Sequence, residues 1–452
     1  MSRITLAQAA QWCGGTVDPK YAQISFLGAS NDSRSVKPGQ LFVALEGVRD
    51  GHDFIPAALA AGAAAVLCSH SGGDFPAIVV KDTRKALGDI AREERKRLNV
   101  KVVGVTGSVG KSTTKEMIVG ILSQKYRTGK TPVNHNNDIG MPMAILALPE
   151  DTEVAVLEMG MNHFGEMAYL TSIAAPDIAV ITNIGTMHIE HLGSREGILH
   201  AKLEILQGLR PGGHLIYNGD EPLLWNLRGS GSTAPHYFGL ENPACDVKGS
   251  VRQEAEGCTE LAVTAGEESF QVCLPVEGRH FVSDALAAVA VARLLEVPVE
   301  GIRQGLAGFR SMEGRQEIYE AGGYTIIRDC YNAGPESMAA SLTVLGKKNG
   351  RRIAVLGDML ELGVCTQAEH YRVGRIAAGK CDLLLALGKN AGRVVNGAIT
   401  GGMRPVDAMA FDSAPELVRV LRAKARPGDI ILFKGSRGMK MEQVLDQFLE
   451  KK

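Results

Sequence analysis

Short apolar runs alternate with longer segments of helical periodicity along most of the chain. Each run ends at a glycine or a polar residue, as expected of buried strands that lead into turns. The runs that we interpret as strands are residues 41–45, 77–80, 100–105, 154–157, 178–181, 214–217, 351–356, 383–387 and 430–433. This strand–helix alternation predicts an α/β protein with largely parallel sheets.

Two interruptions of the alternation divide the chain into three predicted domains. A small mixed α/β domain spans residues 1–98, a domain with a central parallel sheet spans 99–308, and a Rossmann-like α/β domain spans 309–452. The helix 284–297 closes the second domain, and the segment after it is a predicted hinge because it contains Pro298, Gly301, Gly305 and Gly308. The chain ends in a helix whose apolar face carries Met441, Val444, Leu445, Phe448 and Leu449.

The charge balance argues against two broad classes of protein. The 452 residues include 49 Lys+Arg and 50 Asp+Glu, which gives a formal net charge of −1. This balance argues against a protein that coats nucleic acid or an acidic membrane. The densest charge run, residues 91–97, mixes both signs, and we interpret it as a solvated helix face near a domain boundary.

The cysteines and the N-terminus predict a cytoplasmic protein. The 8 cysteines are scattered singly, without a C-x-x-C pair or a zinc-knuckle spacing. We therefore expect small core residues in a reducing cytosol. The first residues lack the sustained apolar segment of a signal peptide, and the longest apolar run, residues 55–68, is too short to span a bilayer.

A glycine-rich loop follows the strand 100–105 and opens an amphipathic helix. Its sequence is TGSVGKST, residues 106–113, with Gly104 before it and Val105 where a standard P-loop has its first glycine. Backbone N–H groups of such a loop surround phosphates, the lysine reaches the β- and γ-phosphates, and the serine binds Mg²⁺. The variant loop therefore predicts ATP or GTP binding by Thr106, Gly107, Ser108, Val109, Gly110, Lys111, Ser112 and Thr113.

Polar residues after the next predicted strands each allow two interpretations. Glu158 ends a strand beside the P-loop strand, so it is either a Mg²⁺ ligand or an ordinary strand-end glutamate. His188 lies in the loop after strand 178–181, and Lys202 alone resembles a surface lysine. The segment NHNNDIGMP, residues 134–142, suits binding of phosphate or carboxyl oxygens, or forms a plain turn.

Together these segments resemble the Mur ligase family of bacterial cell-wall synthesis over nearly the whole chain. In the first region the resemblance rests on residues 31–47 and 50–52, and in the second on the loop, the asparagine segment, LEMG, the His188 segment and AKLEI. In the third region it rests on DCYNAGPESM (329–338), VLGDMLELG (355–363) and KGSR (434–437). The resemblance implies a uridine-nucleotide-binding first domain, a central P-loop ATPase domain and a C-terminal Rossmann-like ligase domain.

The third-region motifs are similar to those of the family member that adds D-alanyl-D-alanine to UDP-N-acetylmuramoyl-tripeptide. This similarity implies an ADP-forming amide ligase, in the cytoplasmic stage of peptidoglycan synthesis, that works through an acyl phosphate. The Asp-Asn-Pro-Arg motif typical of the tripeptide-forming member is absent, and the first region disfavours a folate-glutamylating enzyme. The alternatives are another amino-acid-adding member of the family and, from a different class, a P-loop nucleotide-sensing module. No nucleic-acid partner or membrane span is expected, and the chain is expected to be a monomer.

The resemblance also implies roles for individual residues. Lys111 and Arg315 would bind ATP phosphates, Ser112 and Glu158 would hold one Mg²⁺, and His188 would bind a second Mg²⁺ beside a carbamylated Lys202. Asp329 matches a ribose-binding aspartate, and Asp284 matches an adenine-facing position. The expected substrate-binding residues are Ser33, Arg34, Asn134 and Asn137. Phe281, Asp284 and Gly334 stand where the family commonly has asparagine, and an ionised aspartate accepts hydrogen bonds but donates none.

Overall fold

Three larger β-sheets, one in each domain, organise the chain in a computed structural model that describes residues 3–70, 72–231, 233–255 and 257–450. The predicted α/β class with three domains is confirmed. Short 3₁₀ turns join several elements, at Pro19–Tyr21, Gly51–Phe54, Glu204–Gly208, Gly363–Cys365, Pro405–Asp407 and Arg437–Met439. Within the described residues, none of the helices combines the length and the apolar character needed to cross a membrane.

The first domain is built on a five-stranded sheet of order β2-β7-β6-β5-β4, beside the antiparallel pair β1-β3. Its strands β1–β7 are Ile4–Thr5, Thr16–Val17, Ser25–Phe26, Ala29–Ser30, Leu41–Val43, Ala65–Cys68 and Ala77–Val79. Its helices α1–α3 are Leu6–Cys13, Ile55–Ala60 and Thr83–Arg97. Strands β4 to β7 are parallel, and β2 pairs antiparallel with β7.

The charged end of α3 differs from the prediction. Glu94 is 2% exposed and Arg95 is 4% exposed, so the expectation of a solvated helix face is wrong for these two residues. Arg95 donates to the backbone carbonyls of Ala174 (2.8 Å) and Ala175 (3.1 Å), which end a helix of the central domain. A cation at a helix C-terminus satisfies carbonyls that lack a partner within the helix. Here Arg95 thereby links the first domain to the second.

The central domain contains a nine-stranded sheet of order β16-β15-β14-β13-β12-β11-β8-β10-β9. Its strands β8–β16 are Lys101–Thr106, Thr128–Lys130, Val154–Glu158, Ile178–Ile181, His214–Asn218, His236–Gly239, Val247–Ala255, Cys258–Ala265 and Glu268–Leu274. Its helices α4–α11 are Lys111–Leu122, Gly140–Leu146, Glu166–Ala174, Ile189–Leu192, Arg195–Leu203, Pro222–Trp225, Arg279–Leu294 and Val299–Ala307. Parallel register pairs Glu158 with Val105 and Ile181 with Thr106, so the carboxyl ends of β8, β10 and β11 form one edge.

Strands β15 and β16 extend this sheet as antiparallel hairpins, which the sequence interpretation missed. They bring Cys258 and Cys273 together as a disulfide with Cα atoms 6.1 Å apart. The expectation that all the cysteines are separate core residues is therefore wrong for this pair. In the hairpin register Cys273 lies opposite Glu260, so Cys258, two residues before Glu260, is its diagonal neighbour. Cys68, Cys245, Cys330 and Cys381 are buried as predicted, whereas Cys13 and Cys365 are only half-buried.

The third domain has a six-stranded sheet of order β17-β18-β22-β19-β20-β21. Its strands β17–β22 are Glu317–Ala321, Tyr324–Asp329, Arg352–Gly357, Leu383–Leu387, Ala408–Phe411 and Ile430–Lys434. Its helices α12–α16 are Pro335–Gly346, Thr366–Ala378, Ala391–Thr400, Ala414–Lys424 and Met441–Leu449. Only β17 runs antiparallel to its neighbour in the described sheet, and α16 buries Met441, Val444, Leu445 and Phe448.

The predicted hinge after Pro298 is a helix. Pro298 caps α11, and Gly301 and Gly305 lie within it. Gly305 lies so close to α4 that an added Cβ would be 2.6 Å from the backbone nitrogen of Ile121 and 2.7 Å from the carbonyl carbon of Gly120. These glycines therefore allow two helices to pack closely, and the hinge prediction is wrong because spacing alone does not separate a flexible glycine from a packed one.

We predict that Gly305→Ala destabilises the central domain by about 1–3 kcal/mol, because backbone atoms of α4 cannot move away from the new methyl group. The matched control is Gly392→Ala in α14, where an added Cβ meets nothing within 4 Å. That substitution is expected to leave stability unchanged or raise it by up to ~1 kcal/mol. Thermal unfolding of both variants checks the prediction, and equal melting temperatures would contradict it.

Candidate active site

A cavity of about 570 Å³ lies between the central and third domains, at the carboxyl edge of the central sheet. The central domain contributes the glycine-rich loop and the residues after β10 and β11, and the third domain contributes the segments around β18 and α12. Ligands of open α/β sheets bind outside the carboxyl ends of the strands. The cavity brings together the sequence-predicted residues Ser108, Val109, Gly110, Lys111, Ser112, Thr113, Asn137, Glu158, His188, Asp284, Arg315 and Asp329.

The segment after β11 fixes the conformation of the glycine-rich loop. Gly107 and Gly110 have φ angles of 154° and 83°, and side chains of the central domain fill the space beside them. The side-chain oxygen of Asn183 accepts from the backbone N–H groups of Ser108 and Val109, both at 3.0 Å. Thr182 Oγ1 donates to the carbonyl of Val109 at 2.6 Å. The loop is therefore held open around the N-terminus of α4, where phosphate binds in such loops.

Lys111 bends back over this loop. Its Nζ donates to the carbonyls of Gly107 (2.8 Å) and Ser108 (3.2 Å). Burial lowers the pKa of Lys111, the carboxylate of Glu158 opposes that effect, and Arg315 adds to it. No carboxylate of the described residues ion-pairs with Lys111. A cation held over a phosphate loop in this way is available to an incoming phosphate.

Glu158 has one carboxylate oxygen available for a ligand. The residue is 3% exposed, and its Oε1 accepts from Asn136 Nδ2 at 2.9 Å. Among the described residues no donor bonds Oε2, which lies 3.8 Å from Lys115 Nζ. Lys115 is itself fully buried and donates to the carbonyl of Thr131 at 2.9 Å. A buried carboxylate oxygen without a hydrogen bond is a suitable ligand for a hard divalent cation.

His188 and Lys202 lie on the loop and helix that follow β11. His188 has a φ of 64°, and its Nδ1 is 2.6 Å from Oε2 of Glu361 in the third domain. Lys202 is 2% exposed and lies outside the residues that line the cavity. Burial, together with the charge of Lys111, lowers the pKa of Lys202 well below its ordinary value. The buried amine corrects the interpretation of Lys202 as a surface lysine that its sequence context alone suggested.

Asp284 faces the glycine-rich loop. Its Oδ1 accepts from Thr114 Oγ1 at 3.0 Å, and its carboxyl group occupies the space beside Gly110. Burial raises the pKa of Asp284 to about 8, against the smaller effects of the Thr114 hydrogen bond and the charge of Arg315. A protonated Asp284 donates one hydrogen bond, which an ionised aspartate cannot do.

The third domain contributes Arg315 and a buried ion pair. The Arg315 guanidinium lies 3.8 Å from the centre of the Tyr331 ring. Lys434 Nζ and Ser341 Oγ donate to Oδ2 of Asp329, at 2.6 Å and 2.5 Å. Burial acts to raise the pKa of Asp329, but the charge and hydrogen bonds of these partners outweigh it and lower that pKa. Asp329 is therefore held ionised at the cavity wall.

Other predicted residues lie elsewhere. Arg34, whose side chain is 87% exposed, forms a bidentate pair with Asp32 at 2.9 and 2.7 Å on the first domain, and the pair lowers the pKa of Asp32 to about 2. Neither Ser33 nor Arg34 lines the cavity, and Asn134 is exposed with a φ of 67°. Thr106 and Gly107 underlie the loop without lining the cavity. Ser33, Arg34 and Asn134 stay predictions for a substrate site beyond the cavity.

Several residues of the site were not singled out from the sequence. They are Lys115, Asn136, Asn183, Glu336, Glu361 and Lys434. Asn183 and Lys434 each lie at or just after the end of a buried strand, which is a usable signal. Glu336 and Glu361 lie within the third-region motifs 329–338 and 355–363, but those motifs do not indicate their partners, because each acts on a residue of another domain.

Models of one family match most of the chain. Residues 23–95 match the model described as Mur ligase family, catalytic domain, residues 105–292 match the Mur ligase middle domain, and residues 314–437 match the Mur ligase, glutamate ligase domain. The UDP-N-acetylmuramoyl-tripeptide–D-alanyl-D-alanine ligase of Bacillus subtilis is 40% identical over 461 residues, which cover 100% of this chain and 99% of that protein.

Solved structures agree with these matches. A crystal structure of MurF from Acinetobacter baumannii has a TM-score of 0.91 and 33% identity, with 100% of both chains covered. The MurF ligase of Thermotoga maritima in complex with ADP has a TM-score of 0.82 and 31% identity, and the match covers 93% of this chain and 97% of that one. The similarity therefore extends over all three domains.

We predict that Asp284→Asn raises the melting temperature, and that the gain grows as the pH rises. The native state keeps a proton on Asp284 up to about pH 8, whereas the unfolded chain releases it near the ordinary pKa of 3.8. Stability contributed by this group is therefore lost as pH rises between these values. The expected gain at pH 8 is roughly 1–3 kcal/mol, because the variant has no carboxyl group that must retain a proton at this pH in order to stay buried.

The matched control for this prediction is Asp329→Asn, because the stability contributed by Asp329 depends on pH with the opposite sign. The pKa of Asp329 is lowered in the native state, so its contribution to stability is present at neutral pH and is lost as pH falls below its ordinary value. This variant is expected to be destabilised at neutral pH. Melting temperatures measured from pH 4.5 to 8.5 compare the two variants, and a pH-independent difference for Asp284→Asn would contradict the prediction.

Proposed function

This chain belongs to the Mur ligase family, and from that premise we propose which of its residues carry out the reaction. The chain is an ATP-dependent ligase that adds D-alanyl-D-alanine to UDP-N-acetylmuramoyl-tripeptide, in the synthesis of peptidoglycan. The observation that supports the residue assignment is the convergence of Lys111, Glu158, His188 and Arg315 on one cavity between two domains. Domain boundaries at residues 98 and 308 belong to the same proposal.

ATP would bind with its phosphates at the N-terminus of α4. The glycine-rich loop presents backbone N–H groups there, and Lys111 and Arg315 supply positive charge from opposite domains. Asp329 is ionised and faces the cavity, so it suits hydrogen bonding to the ribose hydroxyls. Asp284 packs against the loop at Gly110. Its proposed contribution to adenine binding is therefore indirect, because it supports the loop beneath the nucleotide.

The residues present fit a divalent cation beside the phosphates. Glu158 has a buried carboxylate oxygen without a hydrogen bond, and Ser112 lines the same cavity. Mg²⁺ is usually held by one or two protein ligands together with phosphate oxygens and water. Ser112 and Glu158 would hold one ion, and His188 would hold a second. When bound, these ions would neutralise the charge that develops on the phosphate oxygens.

The reaction proceeds in two displacements. A terminal carboxylate of the UDP-linked tripeptide attacks the γ-phosphorus of ATP in line, the bond to the β-phosphate oxygen breaks, and an acyl phosphate and ADP form. The amine of D-alanyl-D-alanine then attacks the acyl carbon and loses a proton, and inorganic phosphate leaves with the C–O bond electrons. Lys111 and Arg315 would stabilise the transferring phosphoryl group, and docking of the third domain would exclude water from the acyl phosphate.

Lys202 would act as a carbamate. Burial lowers the pKa of its amine well below the ordinary value, which favours the neutral form that reacts with CO₂. The product is a carboxylate-like group that complements the cations of the site, Lys111 and the proposed metal ions. The proposal includes three further expectations. Ser33 and Arg34 of the first domain contact the UDP-linked peptide, the chain is a monomer, and it is located in the cytoplasm.

We predict that Lys202→Ala lowers kcat at least 100-fold and that short carboxylates such as acetate or propionate restore part of the activity. The cavity left by the side chain would admit the small acid, which supplies the missing negative charge. The control is Lys85→Ala, an exposed lysine on α3, which is expected to keep full activity without added acid. Full activity of Lys202→Ala without a carboxylate would refute this role.

A coupled assay of ADP release tests the proposed reaction directly. We expect release to require UDP-N-acetylmuramoyl-tripeptide and to continue over many turnovers only when D-alanyl-D-alanine is added. Meso-diaminopimelate, lysine and glutamate serve as alternative acceptors, and turnover with any of them in place of the dipeptide would favour another amino-acid-adding reaction. A rate of ADP release that is the same with and without every acceptor would favour a nucleotide-sensing module.

A further inference from the structure

Two glutamates of the third domain form hydrogen bonds with the loop that carries His188. We propose that Glu336 and Glu361 form a glutamate clamp, which orients His188 as a metal ligand only when the third domain docks on the central domain. The inference rests on the proposed role of His188 in metal binding. Within this clamp the two glutamates are positioning residues, because each acts through the loop and need not touch the reacting atoms.

Glu336 holds the first half of the loop. It lies in the first turn of α12, and its Oε1 accepts from both the backbone N–H (3.1 Å) and the Oγ1 (3.0 Å) of Thr186. Gly185 leaves room for this approach, because a Cβ there would lie 3.0 Å from the Glu336 carboxyl carbon. The backbone two residues before His188 is thus bonded to another domain.

Glu361 holds the imidazole itself. Its Oε2 lies 2.6 Å from His188 Nδ1, and its backbone carbonyl accepts from the N–H of Glu190 at 3.5 Å. Both residues of the pair have positive φ angles, 64° at His188 and 62° at Glu361. Left-handed backbone is unfavourable for residues other than glycine unless the surroundings stabilise it. The contact between the domains supplies those surroundings.

The contact with Glu361 selects one form of the imidazole. A carboxylate only accepts hydrogen bonds, so the proton of neutral His188 must lie on Nδ1, and the lone pair of Nε2 is left for a ligand. A carboxylate behind a metal-binding histidine also raises its basicity and fixes its orientation, and loss of such partners lowers metal affinity 10- to 100-fold. Docking of the third domain would in this way couple metal binding to closure of the active site.

The test measures the imidazole tautomer of His188 and the metal affinity, and neither measurement depends on turnover. In the full chain labelled with ¹⁵N-histidine and bound to ADP, the His188 signals are identified by their loss in His188→Gln. We expect the Nδ1–H tautomer in the wild type and in Glu361→Gln, whose amide oxygen still accepts. In Glu361→Ala we expect the Nε2–H tautomer and a 10- to 100-fold weaker binding of Mn²⁺, used as the probe cation.

The matched control is Lys347→Met, which removes an ion pair to Glu254 between the same two domains, away from the loop. This variant should keep the wild-type tautomer and Mn²⁺ affinity. Equal losses in Lys347→Met and Glu361→Ala, or an unchanged tautomer in Glu361→Ala, would overturn the proposal. A changed tautomer with unchanged Mn²⁺ affinity would instead refute the metal role of His188 and leave the contact intact.

Hydrogen exchange tests the second half of the clamp. Glu336→Ala should increase exchange of the amides between residues 183 and 193 at least tenfold, whereas Glu336→Gln should retain most of the protection because its amide oxygen accepts the same bonds. Protection that is unchanged in Glu336→Ala would remove Glu336 from the clamp.

Discussion

Positive charge without a matching carboxylate is the constraint on which the active site depends. Lys111 and Arg315 line the cavity and have no ion-pair partner among the described residues, although burial lowers the pKa of Lys111. Unpaired charges that are partly removed from water cost free energy, and here the cost is offset when phosphates and carboxylates bind. The near-zero net charge of the whole chain is therefore compatible with anionic substrates, because the positive charge is concentrated in one cleft.

The same constraint explains why the site lies between domains. Lys111 is the first residue of α4 in the central domain and Arg315 lies at the start of the third domain, so the pair of cations is complete only when both domains are present. Lys434 shows the contrast, since its buried ammonium group is paired with Asp329 and serves to shape the wall of the cavity. A reactive acyl phosphate needs such an enclosed site, because water would otherwise hydrolyse it.

Much of the fold and part of the site could be predicted from local sequence. The predicted strand 178–181 is β11 in the structure, and the glycine-rich loop lies between β8 and α4 as its motif requires. Predictions failed where one local sequence pattern is compatible with two different tertiary environments. Glycines 301 and 305 suit a hinge or a close helix contact, and the charges of α3 suit solvent or the carbonyl end of a neighbouring helix. The antiparallel hairpins beside β14 were missed although β15 and β16 alternate in burial.

By itself, the sequence determined the elements whose causes are local: buried strands, the phosphate loop at the start of α4, and polar residues at strand ends. These follow from periodicity, glycine conformation and helix ends, which neighbouring residues specify. Which distant groups meet depends instead on how the domains fold and pack. Glu361 reaches His188 across 173 residues of sequence, and Lys202 becomes a buried amine only after folding. Burial and long-range contacts depend on domain packing, which no local pattern encodes.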